Sequence, residues 1–469
     1  MTAPGGLGAL GAMFRPRSIA IIGASDDPLT LSGRPLQVLR QHAYDGEIYL
    51  VNPNRDQIGG LPCYPAIGAV PQAVDLAIVA VRAALVPGVI ADCAAAGTRA
   101  AVIFSSGFAE QDQAGRAAQG ELAEIARDTG IRLLGPNGEG FLNVPDGVPA
   151  SFSPTVDYSR GLTHLVPGGL AVVSQSGGLG FALFHWGQVA GLGASFVVTT
   201  GNECDVDALE VADFLAADEQ TTVIALVVEG FTHGLDSLAP VARRVREAGK
   251  HLVVAKLGRS LAGRRSAPTH SAHDAGDPAE FDRALAAAGV VRAGDQEDLL
   301  DVCLALARGR LMAGRRVGII TASGGAGIWA ADACEEQGLT VPVLSGAVQA
   351  QLRELMPAYG VAANPVDLTA QGISGGNVDT AVRILAASGE VDAVLVVVTL
   401  AGPDLLRREG AGLSAAAAEV SLPVLLYSYT APGAESTEIL RDLQLAWYTS
   451  PRRAARALRA LAGVPALIP

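Results

Sequence analysis

Cysteine and aromatic residues are scarce in this chain, and long apolar runs do not occur. The five cysteines are scattered, with no Cys-x-x-Cys pair and no His/Cys cluster, so the sequence predicts neither a disulfide framework nor a zinc site. No apolar run reaches the roughly 18–20 residues that span a bilayer, and the N-terminus lacks a basic-then-apolar signal pattern. We therefore expect a reduced, cytoplasmic protein without a membrane segment.

Basic residues are also few. The chain has 34 Lys and Arg against 47 Asp and Glu, a net charge of −13, which argues against a general nucleic-acid or membrane-surface binder. This balance does not exclude a small anionic ligand, because the N-terminus of a helix binds phosphate without net positive charge.

What the chain does contain is typical of an α/β protein. Its 469 residues are 49% hydrophobic, with Ala, Val, Leu and Gly dominant, as in proteins that bury parallel strands. At roughly 100–200 residues per domain, this length predicts two to four domains.

Apolar runs alternate with Ala-rich stretches in three successive units, which predicts parallel sheets with right-handed crossovers. We predict three α/β domains with doubly wound parallel sheets, over residues 1–145, 146–312 and 313–469. The predicted strands are 18–22, 48–51, 76–81, 101–104 and 131–134, then 170–173, 196–199, 223–228 and 252–256, and finally 317–320, 340–343, 393–398 and 423–427.

A glycine-rich turn occurs twice, each time between an apolar run and an Ala-rich segment. A strand followed by such a turn and a helix presents unpaired N–H groups and the positive helix end to an anion. Two such turns could hold one phosphoryl group between two helix N-termini, although each could also be only a tight βα turn. The predicted phosphate-binding residues are Ser174, Gln175, Ser176, Gly177, Gly178, Ser323, Gly324 and Gly325.

The first glycine turn, at Gly23, Ala24 and Ser25, is not a complete dinucleotide fingerprint. Gly-x-Gly-x-x-Gly is absent, and Asn52 with Pro53 follows the second strand, where a dinucleotide site would have Asp or Glu. A nicotinamide oxidoreductase is therefore disfavoured. A ligand with another kind of nucleotide portion is still expected at the carboxyl ends of these strands.

Two of the seven histidines lie in a loop rich in Gly, Ser and Arg that follows the predicted strand 252–256. Neutral imidazole is a competent nucleophile toward a phosphoryl group, and a carboxylate on its other nitrogen would stabilise the charged adduct. His270 is the candidate nucleophile, and Glu229, at the end of strand 223–228, is the candidate partner. The alternative is that His270 is a solvated loop residue.

These features together resemble the NDP-forming (ADP-forming) acyl-CoA synthetases of the succinyl-CoA synthetase superfamily, and specifically their α-type part. The resemblance covers almost the whole chain. It is carried, in order, by residues 21–25, 51–53, 105–108, 135–137, 174–178, 201–202 with 205–207, 229–230 and 364–367.

The resemblance implies a Rossmann-like, CoA-binding first domain followed by two flavodoxin-like domains. The same resemblance implies a transiently phosphorylated histidine at His270 oriented by Glu229, and no catalytic role for His273. It also implies inorganic phosphate and a carboxylic acid or acyl-CoA as substrates, and a separate ATP-grasp β subunit that supplies ATP/ADP and Mg²⁺ chemistry, so that we expect an oligomer. The residues expected to bind CoA are Gly23, Ala24, Ser25, Asn52, Pro53, Ser105, Ser106 and Gly107.

The sequence departs from the family pattern in places that bear on activity. Gly138 replaces the usual cysteine after Gly-Pro-Asn and is followed by Glu139, and Ala272 and Asp274 alter the histidine motif. We expect the acid pocket to include Gly138, Glu139 and residues 151–153. The alternative function is a catalytically degenerate subunit that binds CoA or acyl-CoA as a sensor or scaffold.

Overall fold

The predicted α/β alternation is confirmed by the structure. A computed structural model describes residues 6–266, 273 and 275–463. The chain divides into two compact units, the first ending at Arg292 and the second beginning at Ala293. The domain boundaries at 145 and 312 stay predictions.

The first unit opens with a sheet in the order β3-β4-β2-β1-β5-β6-β7, parallel except for the β3–β4 pair. Its central strands are continuous apolar runs because helices cover both faces. Its elements are α1 (Gly6–Phe14), β1 (Ser18–Ile22), α2 (Arg34–Gln41), β2 (Glu47–Val51), β3 (Gln57–Ile58), β4 (Leu61–Tyr64), β5 (Leu76–Val79), α3 (Val86–Ala95), β6 (Ala100–Ile103), α4 (Gln113–Thr129) and β7 (Arg132–Leu134).

A second sheet of the first unit has the order β14-β13-β12-β10-β11-β8-β9. Strands β8 and β9 form an antiparallel hairpin on its edge that the sequence pattern did not predict. Its elements are β8 (Gly140–Asn143), β9 (Val148–Ser151), β10 (Pro167–Ser174), α5 (Gly177–Val189), β11 (Ala194–Thr199), α6 (Ala208–Ala216), β12 (Val223–Val228), α7 (Leu238–Glu247), β13 (His251–Lys256), α8 (Leu261–Ser266), α9 (Pro278–Ala287) and β14 (Val291–Ala293).

One apolar cluster joins the two sheets of the first unit. The ring of Phe14, at the end of α1, packs edge-on against Phe141 at 5.1 Å and Phe196 at 6.2 Å. Since all three rings are buried, α1 fixes the second sheet against the first.

The second unit contains a sheet in the order β16-β15-β17-β18-β19, with all pairs parallel. Its elements are α10 (Gln296–Arg308), β15 (Val317–Thr321), α11 (Gly324–Glu336), α12 (Gly346–Arg353), β16 (Val366–Asp367), α13 (Thr369–Ser374), α14 (Val378–Ser388), β17 (Ala393–Val398), α15 (Asp404–Glu419), β18 (Val424–Ser428), α16 (Ala434–Asp442), β19 (Ala446–Tyr448) and α17 (Pro451–Leu461).

The predicted strand at 340–343 is wrong. Thr340 forms an isolated bridge with Arg316, but residues 341–343 have no strand pairing, and the edge of β15 is occupied by β16. Pro342 has no N–H to donate to a ladder, which is the physical reason that the apolar run does not extend the sheet.

Among the helices of the described residues, none combines the length and the apolar character that a membrane span requires.

Candidate active site

The turns after β1 and β2 lie side by side at the carboxyl edge of the first sheet. The N–H of Gly23 donates to the carbonyl of Val51 at 2.9 Å, and the side-chain amide of Asn52 donates to the carbonyl of Ala24 at 2.9 Å. Gly23 has φ +86°, and a β-carbon there would stand 2.6 Å from the carbonyl oxygen of Ala80, so only glycine fits. Two groups of predicted CoA-binding residues are thus adjacent.

The third group follows β6. The Ser105 hydroxyl donates to the carbonyl of Val81, and the Ser105 carbonyl accepts from the N–H of Asn137 at 2.9 Å. The N–H of Gly107 donates to the carboxylate of Glu110 at 2.6 Å. These bonds join the 105–107 loop to the loop after β7, which leads into the second sheet.

The turn between β10 and α5 is held by its own hydroxyl group. Ser174 Oγ donates to the carbonyl of Ser176 at 2.8 Å and accepts from its N–H at 3.1 Å. Ser176 gives the first turn of α5 no side-chain cap, so the N-terminus of the helix presents its N–H groups to the space in front of it.

That space is a cavity of about 300 Å³. Two predicted sets of residues meet in it: Ser106 from the expected CoA loop and four residues of the expected phosphate turn. The lining residues are Leu31, Phe104, Ser106, Asn137, Gly138, Glu139, Phe152, Gln175, Ser176, Gly177 and Gly178.

Glu139 contributes a carboxylate to this cavity. Its backbone N–H donates to Thr199 Oγ1 at 2.9 Å, and its Cγ lies 2.8 Å from where a β-carbon on Gly177 would stand. Burial raises the pKa of the Glu139 carboxyl, against the lowering effects of a hydrogen bond from Ser153 and the charge of Arg34.

Gln175 connects this turn to the predicted catalytic Glu229. Its side-chain oxygen accepts from the N–H of Glu229 at 2.6 Å, and its amide donates to the carbonyl of Gly230 at 2.8 Å. Both side chains are buried. His270 lies outside the described residues, so its role and that of Glu229 stay predictions.

The second glycine turn, in the second unit, repeats the local geometry of the first. Thr321 Oγ1 donates to the carbonyl of Ser323 at 2.8 Å and accepts from its N–H at 2.9 Å, and Ser323 likewise gives α11 no side-chain cap. The predicted residues Ser323, Gly324 and Gly325 therefore lie at a helix N-terminus. Their sharing of one phosphoryl group with the first turn stays a prediction.

Three family models match the chain in succession. They are described as a CoA binding domain, over residues 17–143, a succinyl-CoA ligase like flavodoxin domain, over 167–306, and a ligase-CoA domain, over 317–400. The alpha subunit of acetate–CoA ligase (ADP-forming) I of Pyrococcus furiosus is 35% identical over 398 residues, which are 83% of this chain and 82% of that protein. The chain belongs to the ADP-forming acyl-CoA synthetase family. The predicted family and fold class are confirmed.

Other ADP-forming acyl-CoA synthetases are similar over nearly the whole chain. Acetate–CoA ligase (ADP-forming) I of Archaeoglobus fulgidus is 33% identical over 96% of this chain, but the chain spans only 63% of that relative's length. A solved structure of acetyl-coenzyme A synthetase 1 from Ca. Korarchaeum cryptofilum, in complex with phosphate and ADP, has a TM-score of 0.86 at 32% identity. The match covers 97% of this chain and 96% of the chain in that structure.

Sequence reasoning missed one buried cluster behind this cavity. Glu203 and His273 form a pair, with Nε2 and Oε2 3.0 Å apart, and Gln175 donates to the same carboxylate oxygen at 3.0 Å. Glu203 adopts φ +56°, and it lies between the motif pieces 201–202 and 205–207. The available signal was an acidic residue directly after Asn202, between the two matching pieces of the motif.

Proposed function

We propose that this chain is the α-type chain of an ADP-forming acyl-CoA synthetase and joins a carboxylic acid to CoA through acyl-phosphate and phosphohistidine intermediates. One observation carries the proposal: a single cavity is lined by Ser106, from the expected CoA loop, and by Ser176, Gly177 and Gly178, from the expected phosphate turn. An enzyme that transfers an acyl group between phosphate and CoA needs both groups within reach of one acyl carbon.

The proposed reaction is reversible at each step. The phosphorylated imidazole of His270 gives its phosphoryl group to a carboxylate oxygen of the acid, which forms the acyl phosphate and frees the histidine. The sulfur of CoA then attacks the acyl carbon, its proton leaves, and the C–O bond to phosphate breaks to release inorganic phosphate. The products are the thioester and phosphate.

The N-terminus of α5 would stabilise the negative charge in these steps. The N–H groups of Gly177 and Gly178 line the cavity, and the helix dipole favours an anion in front of them. A side chain on residue 177 would also collide with Glu139, so glycine is needed for this close approach. The turn therefore suits a phosphoryl group on geometric grounds.

We infer that phosphorylation of His270 by ATP takes place on a separate ATP-grasp chain, with which this chain would form an oligomer. The relative from Pyrococcus furiosus is named as a subunit alpha, and this chain spans 82% of it. In this proposal the partner holds ATP or ADP and Mg²⁺, and this chain holds CoA, phosphate and the acid.

The test is intact mass of the purified chain after incubation with phosphate, Mg²⁺ and a series of acyl-CoA thioesters. We expect an acid-labile gain of one phosphoryl group. The gain should be absent from a His270→Ala variant and retained in a His164→Ala control, since His164 is an exposed loop residue.

If phosphorylation fails with every thioester, and also with ATP and the candidate ATP-grasp chain, the proposed function is wrong. Measurable CoA binding in the same experiment would then favour the alternative, a CoA-binding regulatory subunit. Phosphorylation that survives in His270→Ala would instead reassign the phosphorylated residue.

A further inference from the structure

The cavity contains a carboxylate that the proposed reaction does not use. Glu139 lies on the segment between β7 and β8, and its side chain lines the cavity. Its Oε1 is 3.4 Å from where a β-carbon on Gly178 would stand, so the carboxylate lies against the first turn of α5.

Glu139 shares this cavity with two chemically different groups. They are the N-terminus of α5, against which its carboxylate lies, and the rings of Phe104 and Phe152, which meet edge to face with centroids 4.9 Å apart. An acid whose carboxyl group binds at the helix end would extend its carbon chain toward the aromatic rings. The carbons next to its carboxyl group would then pass Glu139.

The charge of Glu139 is only partly offset by its neighbours. Ser153 donates a hydrogen bond to it, and Arg34 lowers its pKa through charge alone. Arg34 Nη1 instead donates to the carbonyl of Phe152 at 2.6 Å. A carboxylate in such a half-buried site accepts a hydrogen bond from a ligand hydroxyl or ammonium group, and it repels a second carboxylate more strongly than it would in water.

We propose that Glu139 determines acyl specificity: the enzyme favours acids that carry a hydroxyl or ammonium group close to the carboxyl group, and it excludes dicarboxylic acids. This inference rests on the proposed function, because it assumes that the acid binds in this cavity. Discrimination of this kind is strong, since a wrong substrate either shields the half-buried charge from water without bonding to it or faces it with a like charge.

The test uses three thioesters with the same four-carbon chain: butyryl-CoA, 3-hydroxybutyryl-CoA and succinyl-CoA. The rate of chain phosphorylation from each, with phosphate present, is measured for the wild type, Glu139→Gln, Glu139→Leu and a Glu124→Gln control on the exposed face of α4. We expect the wild type to use 3-hydroxybutyryl-CoA about tenfold faster than butyryl-CoA. With succinyl-CoA we expect a rate at least about a hundredfold lower than with butyryl-CoA.

The variants separate the specificity claim from the proposed function. Glu139→Gln should raise the rate with succinyl-CoA at least about tenfold. Glu139→Leu should bring the rates with 3-hydroxybutyryl-CoA and butyryl-CoA to within about twofold of each other. Glu124→Gln should behave as wild type. If the chain is phosphorylated but these rate ratios do not change in the variants, the inference is wrong and the proposed function stands. If the wild type is phosphorylated neither from any thioester nor from ATP with the candidate ATP-grasp chain, the proposed function itself is overturned.

Discussion

The imidazole of His273 lies with its Nε2 3.0 Å from Oε2 of Glu203, and both side chains are buried. Glu203 also accepts hydrogen bonds from Thr200 at 2.8 Å, Thr232 at 2.6 Å and Gln175 at 3.0 Å. Burial alone would raise the pKa of Glu203, but the bonds and the charge of His273 outweigh it, and its pKa is lowered. The carboxylate is thus ionised and fully engaged inside the first unit.

Replacing Glu203 with Gln should destabilise the first unit in a pH-dependent way. We expect the free energy of unfolding to fall by about 1–3 kcal/mol at neutral pH. Because the folded pKa is depressed, this stabilisation is present above the unfolded value of about 4.3 and is lost as the pH falls through the folded value. Urea unfolding of wild type and variant should therefore differ most at neutral pH and least in acid. The exposed Glu219→Gln variant should show neither effect.

Replacing Gln175 with Leu should weaken both stability and phosphorylation. The change removes the acceptor for the N–H of Glu229 and the donor to Gly230 and Glu203, and it leaves buried polar groups unpaired at a cost of about 1–3 kcal/mol. Thermal unfolding and the phosphorylation rate with an acyl-CoA measure the two effects. A variant with wild-type stability would contradict the assigned bonds.

Replacing Gly201 with Ala should disrupt the contact between the loops that follow β7 and β11. Gly201 has φ +60°, and a β-carbon there would stand 2.2 Å from the carbonyl oxygen of Pro136. Because the backbone must move to admit the methyl group, we expect the free energy of unfolding to fall by more than about 3 kcal/mol, which thermal unfolding measures. Gly130→Ala is the matched control, since Gly130 is left-handed with φ +78° and ψ +4° but nothing lies within 4 Å of a β-carbon there. It should cost only the backbone strain of about 1–2 kcal/mol.

The two glycine turns should respond alike to loss of their hydroxyl groups. Ser174→Ala and Thr321→Val each remove a hydrogen bond to the carbonyl two residues further along the chain, which is 2.8 Å long in both turns. Each change should lower the free energy of unfolding by about 0.5–1.5 kcal/mol. Thr321→Ser keeps the hydroxyl and should retain most of the stability. Equal unfolding midpoints for Thr321→Ser and Thr321→Val would show that the hydroxyl contributes nothing.

Strand positions were largely predictable because buried parallel strands are unbroken apolar runs. Residues 18–22 and 393–398 match β1 and β17, and every residue of both strands is buried. The prediction at 340–343 failed because an apolar run with a central proline satisfies the hydrophobic pattern but cannot complete a hydrogen-bonded ladder. The β8–β9 hairpin was missed because neither strand is an unbroken apolar run: β8 reads Gly-Phe-Leu-Asn and β9 reads Val-Pro-Ala-Ser.

The sequence by itself determined the α/β class, the two glycine turns and the family, since these depend on local runs, turn residues and ordered motifs. Only the tertiary structure decided that Ser106, Glu139 and the turn at residues 176–178 line one cavity, because these residues come from the connections of two different sheets. Only the tertiary structure showed that Glu203 pairs with His273, 70 positions away along the chain. Contacts of that kind depend on how sheets pack, and local sequence does not encode the packing.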